Sequence, residues 1–348
     1  MGCARPKAAP TAIDLFAGCG GLSEGLWAAG FSILAAVELD ALAAETYRAN
    51  HPDVRLLERD IRKVRPDRLI KQLGLLPGDL TLLAGCPPCQ GYSSIRRRNK
   101  AGAVDDPRND LVRQMLRFAK KLMPRAVMME NVPGLVGDKR FGALKRGLER
   151  LGYRCQDLIL DAADYGVPQR RKRLVLLAGL DKELSMPPTT GIPKTVRDTI
   201  ADLARVGRSG DPLHDLTERR STAIKDLIAS IPKDGGSRSD TPGGDGLPCH
   251  SDFNGFKDVY GRIAWDKVAP TITGGCVNPS KGRFLHPRYD RAITLREAAL
   301  LQGFRKDYEI SLKRGKFQAA ALIGNALPPP LAEAQGRKIL QDLRIAAS

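Results

Sequence analysis

The sequence predicts an α/β fold in which helices cover both faces of a parallel sheet. The first observation is that short apolar runs alternate with amphipathic stretches of helical spacing through the first half of the chain. The second is a change after about residue 181, where stretches rich in Pro, Gly and Ser predict loops with only short regular elements. Helical spacing returns in LREAALLQGF and LAEAQGRKILQDLR. We therefore expect an α/β domain interrupted by a loop-rich insert.

The predicted strands and helices occur in strict alternation. The strands are TAIDLFAG, SILAAVEL, DLTLLAG, AVMMEN and RLVLLAGL, and the helices are LSEGLWAAG, ALAAETYRAN, LVRQMLRFAKKLM and FGALKRGLERLGY. Parallel sheets bind their ligands beyond the carboxyl ends of the strands. The residues with suggestive chemistry at those ends are Phe16, Gly18, Glu38, Cys89 and Glu130. We expect the functional crevice at that edge of the sheet.

Composition and charge restrict the class of partner. The 348 residues include 56 Lys and Arg against 39 Asp and Glu, a formal net charge of +17. A surplus of this size favours a nucleic-acid partner, although a basic enzyme with a scattered positive surface is the alternative. The seven cysteines are scattered and odd in number, which predicts free thiols in a reducing compartment. No apolar run is long enough to span a membrane and no signal-peptide core is visible, so we expect a cytoplasmic location.

The stretch DLFAGCGGLSEGL predicts a glycine-rich turn between a strand and a helix. Gly18, Gly20 and Gly21 would let the backbone approach a ligand closely. A Walker-type Lys-Ser/Thr pair is absent, which argues against a phosphate cradle. Glu38 at the end of the next predicted strand could accept hydrogen bonds from ribose hydroxyls. The alternative for Glu38 is an ordinary solvated acid at a strand end.

The stretch GCPPCQGYS contains a Cys-x-x-Cys that a redox pair, half a metal site or a single nucleophile would each explain. A zinc site needs about four Cys or His ligands. No second Cys-x-x-Cys exists and the four histidines are isolated, so we expect no metal. The basic run Arg96-Arg97-Arg98 follows, and positive charge lowers the pKa of a nearby thiol. The same run could instead bind phosphate or lie in a solvated loop.

Two further stretches carry charged residues beside predicted strands. In MMENVPGL, an apolar strand would place the Glu130 carboxyl in a dry crevice, where it could donate a hydrogen bond or a proton. The alternative for its neighbour Asn131 is a helix N-cap. In QRRKR, Arg171 and Arg173 are two residues apart and would share one face of a strand. They could bind a base carbonyl or a phosphate, or form a charged strand edge.

Six stretches in this order resemble the DNA (cytosine-5)-methyltransferases of prokaryotic type: DLFAGCGGLSEGL, GCPPCQGYS, MENVPGL, QRRKR, LREAALLQGF and IGNALPPPLA. The resemblance covers nearly the whole chain except the loop-rich insert. It implies a Rossmann-like S-adenosylmethionine-dependent methyltransferase domain with a smaller loop-rich target-recognition domain. The implied boundaries are 10–180 for the catalytic domain, 181–284 for target recognition and 285–348 for a C-terminal return to the catalytic domain.

The resemblance also implies a reaction and a partner. A methyl group would pass from S-adenosyl-L-methionine to carbon 5 of a flipped cytosine in a specific duplex sequence, leaving S-adenosyl-L-homocysteine. The setting would be restriction-modification or epigenetic marking by a monomer on double-stranded DNA, held at the nucleoid through that DNA, with a cognate restriction endonuclease as a further partner. The alternative is an RNA cytosine-5 methyltransferase of the same family. The Cys-Phe-Thr signature of that branch is not seen ahead of the helix predicted at 295.

Residue roles follow from the resemblance, position by position. Cys89 is implied as the nucleophile, Glu130 as the group that holds ring nitrogen 3 and the exocyclic amine, Arg171 as the contact to the ring carbonyl and Arg173 as the support of Glu130 or Cys89. The implied cofactor pocket comprises Phe16, Gly18, Gly20, Glu38, Leu39, Asp60, Ile61, Pro88, Leu111, Asn325 and Ala326. The implied DNA contacts are Ser93, Ile95, Arg96, Arg97, Arg98, Thr271, Thr273, Gly274 and Gly275. Ala326-Leu327 departs mildly from the family, which has Val or Ser after the Asn.

Overall fold

A computed structural model describes residues 9–88, 107–241 and 258–345. The chain divides into two compact units. The first unit comprises Met1–Asp161, Lys172–Thr189 and Leu327–Ser348, and the second comprises Ala162–Arg171 and Thr190–Ala326.

The first unit contains a seven-stranded sheet in the order β3-β2-β1-β4-β5-β7-β6. The strands are β1 (Thr11–Leu15), β2 (Ser32–Glu38), β3 (Arg55–Glu58), β4 (Leu82–Gly85), β5 (Ala126–Asn131), β6 (Tyr153–Asp161) and β7 (Lys172–Leu180). The strands β1 to β5 pair in parallel, whereas β7 runs antiparallel to both β5 and β6. The expectation of a wholly parallel sheet is therefore wrong. Only ten residues join β6 to β7, Ala162–Arg171, and no crossover helix lies among them.

Ten α-helices occur among the described residues. The first five alternate with the strands of the sheet, and the other five follow in the second half of the chain. They are α1 (Gly21–Ala28), α2 (Ala41–Asn50), α3 (Pro66–Gln72), α4 (Val112–Leu122), α5 (Lys139–Glu149), α6 (Arg197–Ile200), α7 (Thr222–Ser230), α8 (Leu295–Gln302), α9 (Gly315–Asn325) and α10 (Pro329–Asp342). Asp40 shows why α2 begins where it does, since its carboxylate accepts the N–H groups of Leu42 and Ala43 at 2.9 Å. None of the described helices is long and apolar enough to cross a membrane.

The sequence pattern missed two strands and one helix of the first unit, and the helices α7 and α9 of the second unit. The strand β3 has four residues, none of them buried, and the strand β6 buries only Tyr153 and Leu160. Both lie at an edge of the sheet, where a strand needs no apolar run. The helix expected to continue through Tyr153 ends at Glu149, and α3 is a helix of seven residues that begins at a proline.

The core of the first unit lies on the central strands. β4 and β5 are buried along their whole length, and Phe118 and Met115 of α4 pack on them without solvent exposure. Each such side chain stabilises the fold by about 1.5–3 kcal/mol relative to an exposed one. The C-terminal helix α10 packs directly on α1, and a Cβ added to Gly25 would overlap the carbonyl oxygen of Pro329. The unit is therefore completed by residues more than 300 positions apart.

The second unit has few regular elements, as the loop-rich composition predicts. A small core comprises Leu227, Ile228, Ile231, Tyr260 and Leu285. Arg262 is completely buried and donates hydrogen bonds of 2.7–3.0 Å to the carbonyl groups of Ile228, Ile231, His286 and Tyr289. One guanidinium thus satisfies buried carbonyl groups that a sheet or helix would otherwise satisfy.

Candidate active site

The turn after β1 has backbone angles that are unusual for its residues. Phe16 has φ +66°, an unusual value for a residue with a bulky side chain, and Gly18 has φ +56°. Backbone strain of this kind costs about 1–3 kcal/mol and concentrates at functional sites. The turn is held by the hydrogen bond from the Ala17 N–H to the Val37 carbonyl, 3.0 Å long, and Gly20 at φ +99° leads into α1.

Glu38 ends β2 beside this turn and organises it. Its Oε2 atom accepts the N–H of Gly18, and its Oε1 atom accepts the N–H groups of Leu39 and Asp40, each at 2.7 Å. Burial raises the pKa of the Glu38 carboxyl, and the three backbone donors oppose that shift. The alternative of an ordinary solvated acid is therefore wrong.

The space beside Glu38 suits a nucleoside-bearing ligand. A Cβ added to Gly18 would meet no atom of the described residues within 4 Å, so the backbone is open to an approaching group on that side. Leu39 exposes 65 % of its surface next to the carboxylate that would bind a ribose. An open glycine, a carboxylate and an exposed apolar side chain fit the sugar and ring of such a cofactor.

Asp60 and Ile61 follow β3 in the same unit. The Asp60 carboxylate accepts the Arg62 N–H at 2.9 Å and pairs with the Arg62 guanidinium at 2.6–3.0 Å. These bonds lower the pKa of Asp60 to about 2, so this carboxylate is an ionised acceptor at physiological pH. Ile61 is buried.

The register of three neighbouring strands brings charged groups together at the end of β5. Glu130 pairs with Val175 of β7, which places Arg173 diagonally across the two strands. The Arg173 Nε lies 2.7 Å from Glu130 Oε1. Glu130 is 7 % exposed, yet its Oε1 accepts no hydrogen bond of good geometry from any described residue. This buried carboxylate oxygen is held by the charge of Arg173 and can therefore accept a hydrogen bond from an incoming polar group.

Cys86, the first cysteine of the Cys-x-x-Cys, lies in the described part of the chain. It directly follows β4, and because Gly85 pairs with Met129, Cys86 lies beside Glu130. Burial and the Glu130 carboxylate raise the pKa of the Cys86 thiol well above its usual value. Cys86 is therefore a thiol at neutral pH and a poor nucleophile. Cys89 lies outside the described residues, as do Ser93, Ile95, Arg96, Arg97 and Arg98.

Asn131 ties the segment after β4 to the end of β5. Its Nδ2 donates to the Pro87 carbonyl, and its Oδ1 accepts the Val132 N–H, both at 2.9 Å. The helix N-cap expected as the alternative is wrong, because Val132 occupies the N-cap of the next turn. Pro88 follows Pro87 and is partly buried, and Leu111 directly precedes α4.

Arg171 belongs to the second unit and lies just before β7. It is 2 % exposed. Its Nη1 donates to the Ile272 carbonyl at 2.8 Å, and its Nη2 donates to the carbonyl groups of Gly324 and Ala326 at 2.8 and 3.1 Å. This guanidinium therefore ties its own segment to Ile272 and to the C-terminal end of α9, whereas Arg173 pairs with a carboxylate.

Gln169 is a residue whose importance the sequence pattern did not reveal. Its Nε2 donates to the Leu301 carbonyl and the Gln302 side chain, and its Oε1 accepts the Ile272 N–H. It is completely buried. A glutamine between an apolar run and a basic run was the available signal, but nothing in it indicates which distant backbone the amide binds. Thr271 lies alongside, and its hydroxyl donates to the Arg170 carbonyl at 2.6 Å.

The end of α9 packs on the backbone of the predicted DNA-contact segment. A Cβ added to Gly324 would overlap the backbone of Thr273 and Gly274. Gly274 in turn lies against Ala321. Gly275 follows at the start of the next turn, and Asn325 at the end of α9 is exposed. The second unit thus brings Thr271, Thr273, Gly274 and Gly324 together with Arg171.

The sheet, the strained glycine turn and the acid at the end of the second strand define a Rossmann-like S-adenosylmethionine-dependent methyltransferase fold. The profile of the C-5 cytosine-specific DNA methylases matches residues 11–341. The chain belongs to this family. It is therefore a DNA (cytosine-5-)-methyltransferase, and S-adenosyl-L-methionine is its methyl donor.

Individual relatives agree with this assignment. The type II methylase M.HgiDII of Herpetosiphon aurantiacus is 36 % identical and covers 95 % of this chain and 94 % of its own length. The type II methyltransferase M1.HphI of Haemophilus parahaemolyticus is 34 % identical, covering 95 % of this chain and 87 % of its own length. The structure of the S. pombe Dnmt2 methyltransferase is 18 % identical with a TM-score of 0.68. It covers 97 % of this chain and 100 % of its own, and the likeness shows the fold alone.

Proposed function

We propose that Cys89, Glu130, Arg171 and Arg173 carry out the methylation of cytosine. Carbon 5 of cytosine is a poor nucleophile, and adding a thiolate to carbon 6 converts the ring into an enamine that is nucleophilic at carbon 5. Cys89 is assigned this addition from the family resemblance, and the high pKa of the Cys86 thiol argues against its neighbour. S-adenosyl-L-methionine supplies the methyl group. Loss of the carbon 5 proton then breaks the bond between carbon 6 and sulfur, which restores the ring.

The observation that carries this proposal is the buried Glu130 carboxylate with Arg173 beside it. Oε1 of Glu130 is oriented by charge and has an acceptor position to offer. A carboxyl there would bind ring nitrogen 3 and the exocyclic amine and stabilise the charge that builds on the ring. Arg173 would hold Glu130 in place, and Arg171 would contact the ring carbonyl when DNA is bound. A base inside a duplex cannot reach a buried carboxyl, so the cytosine has to flip out.

We propose a pocket for S-adenosyl-L-methionine around the glycine turn of the first unit. Glu38 would hold the ribose, Asp60 the adenine amine, and Phe16 would pack on the adenosine. Gly18, Gly20 and Leu39 border the open space beside the glycine turn. We further assign to the pocket the residues Ile61, Pro88, Leu111, Asn325 and Ala326.

DNA recognition is proposed for the loop-rich region 181–284, with 10–180 and 285–348 forming the catalytic domain. Thr271 and Thr273 would contact the DNA backbone, with Gly274 and Gly275 allowing close approach. The basic run at 96–98, Ser93 and Ile95 would contact phosphates and the gap left by the flipped base.

The biological setting is proposed from the relatives. Both bacterial relatives described above are type II enzymes, which supports a role in restriction-modification. A cognate restriction endonuclease is then the expected partner. We expect a monomer on DNA, in the cytoplasm and associated with the nucleoid through that DNA. The RNA alternative has weaker support, because the relatives with 34–36 % identity are named as a type II methylase and a type II methyltransferase, whereas the Dnmt2 protein is similar in fold alone.

The proposal is tested with tritiated S-adenosyl-L-methionine, using the wild type and Cys89→Ser on duplex DNA and on transfer RNA. Cys86→Ser is the matched control. We expect label on duplex DNA with the wild type and Cys86→Ser, and none with Cys89→Ser. Bisulfite sequencing should find the product at cytosines in one short sequence.

The other outcomes each contradict a stated part. Transfer to RNA alone would move the chain to the RNA branch. Equal activity of Cys89→Ser would remove the assigned nucleophile. Loss of methylation activity in Cys86→Ser as well as in Cys89→Ser would favour a redox function for the cysteine pair.

A further inference from the structure

Arg117 of α4 contacts the turn that carries Asp60 and Ile61. Its Nη2 donates to the Ile61 carbonyl at 2.6 Å, and its Nη1 donates to the Val64 carbonyl at 2.8 Å. These carbonyl groups belong to the first residue of the 3₁₀ turn and to the residue that ends it. One planar guanidinium thus spans the turn with two parallel hydrogen bonds, which a lysine cannot do.

The guanidinium is itself fixed in place. Its Nε donates to Gln114 Oε1 at 2.6 Å, and its central carbon lies 4.9 Å from the ring centre of Phe118. Phe118 is fully buried in the core. Arg117 therefore connects a rigid part of the core to a turn that begins some fifty residues earlier in the chain.

The turn has a second support that faces solvent. Asp60 caps it through the Arg62 N–H and pairs with the Arg62 guanidinium, which is 64 % exposed. Exposed pairs of this kind hold a side chain weakly. The Ile61 and Val64 side chains anchor the turn in the core, and the two bonds from Arg117 fix the orientation of its backbone, which sets where the Asp60 carboxylate lies.

We propose that Arg117 is a positioning residue for recognition of the adenine 6-amino group, acting through the turn that carries Asp60 and Ile61. This inference rests on the proposed cofactor pocket. It assigns the accuracy of the adenine contact to a residue that touches no cofactor.

The test measures binding by calorimetry with the full chain and no DNA. The ligands are S-adenosyl-L-homocysteine and S-inosyl-L-homocysteine, in which a carbonyl replaces the 6-amino group. The variants are Arg117→Met, which keeps the apolar stem, and Arg117→Lys, which can reach one carbonyl group. Lys120→Met, an exposed residue on the same helix, is the matched control.

We expect the wild type and Lys120→Met to prefer the adenosyl ligand. Arg117→Met should bind that ligand about tenfold more weakly, because two charge-assisted hydrogen bonds to the turn are lost. The inosyl ligand should bind it nearly as before, so the preference collapses. Arg117→Lys should fall between the two. At saturating cofactor, kcat for DNA methylation should stay close to the wild-type value while the KM for the cofactor rises.

Three results would overturn the inference. They are an unchanged preference in Arg117→Met, an equal loss of affinity for both ligands, and a wild type that does not distinguish them. A wild type that binds neither ligand would instead overturn the proposed cofactor pocket.

Discussion

The first unit and the second unit position their polar groups by different means. At the end of β5 in the first unit, Glu130 and Arg173 meet because strand register places them on one face of the sheet. In the second unit, Arg171 and Gln169 reach across irregular backbone and hold Ile272 through its carbonyl and its N–H. Regular strands satisfy their own backbone groups, whereas buried loops need side chains to do so.

This difference predicts which substitutions should reduce activity and which should reduce stability. Glu130 is held by a side chain and not by backbone groups, so its loss should affect the reaction first. A polar group that holds buried loops cannot be removed without exposing unpaired carbonyl groups, so its loss should affect stability first. The two arginines of the QRRKR motif, two residues apart, provide the direct comparison.

Glu130→Gln should have the largest effect. The amide keeps the shape but cannot stabilise charge on the ring as the carboxyl does, so kcat should fall by about 10²–10³-fold. Cofactor affinity should stay within about twofold of the wild type. Filter-binding kinetics with labelled cofactor measure the first and calorimetry the second. Glu149→Gln, an exposed acid on α5, should be fully active. A kcat within fivefold of the wild type, a margin of about 1 kcal/mol, would contradict the role.

Arg171→Met should mainly destabilise the protein. The buried carbonyl groups of Ile272 and Gly324 lose the guanidinium donor, whereas the Ala326 carbonyl keeps the Gln302 side chain, so we expect a cost of about 3 kcal/mol of unfolding free energy. Urea denaturation should show a lower midpoint, and the exposed Arg219→Met should not. Activity should fall as well, because the proposed contact to the ring carbonyl is lost. Loss of activity with an unchanged midpoint would mean that Arg171 acts on substrate alone, and the contrast between the units would not hold at this position.

Asp14→Asn should stabilise the protein at alkaline pH. Burial raises the pKa of the Asp14 carboxyl to about 7, from an ordinary value near 4. Between these pH values the folded state binds a proton that the unfolded state does not, so wild-type stability falls as pH rises. Above pH 7 the variant should be more stable by about 4 kcal/mol, and below pH 4 the two should agree. The exposed Asp53→Asn should show no such gain; a gain that persists at low pH would assign the effect to packing.

Glu38→Gln should have a smaller effect, confined to the cofactor. The amide keeps one acceptor oxygen, while three backbone N–H groups and a ribose need more. We expect cofactor affinity to fall about tenfold with little loss of stability. Calorimetry with S-adenosyl-L-homocysteine measures it. Glu58→Gln, at the paired position on β3, should bind normally. Equal losses in both variants would show that the strand ends, and not this carboxylate, limit binding.

The sequence by itself determined the α/β class, the alternation of the central strands and the order of the family motifs. These follow from local spacing, because buried strands and glycine turns leave periodic or compositional marks. The edge strands β3 and β6 left no such mark, and the antiparallel β7 depends on how a short connection folds back. Only the tertiary structure decided that Arg171 holds loops while Arg173 holds Glu130, and that Arg117 supports the Asp60 turn. Two like residues differ in this way because a hydrogen bond depends on partners a hundred or more positions away, which spacing along the chain does not contain.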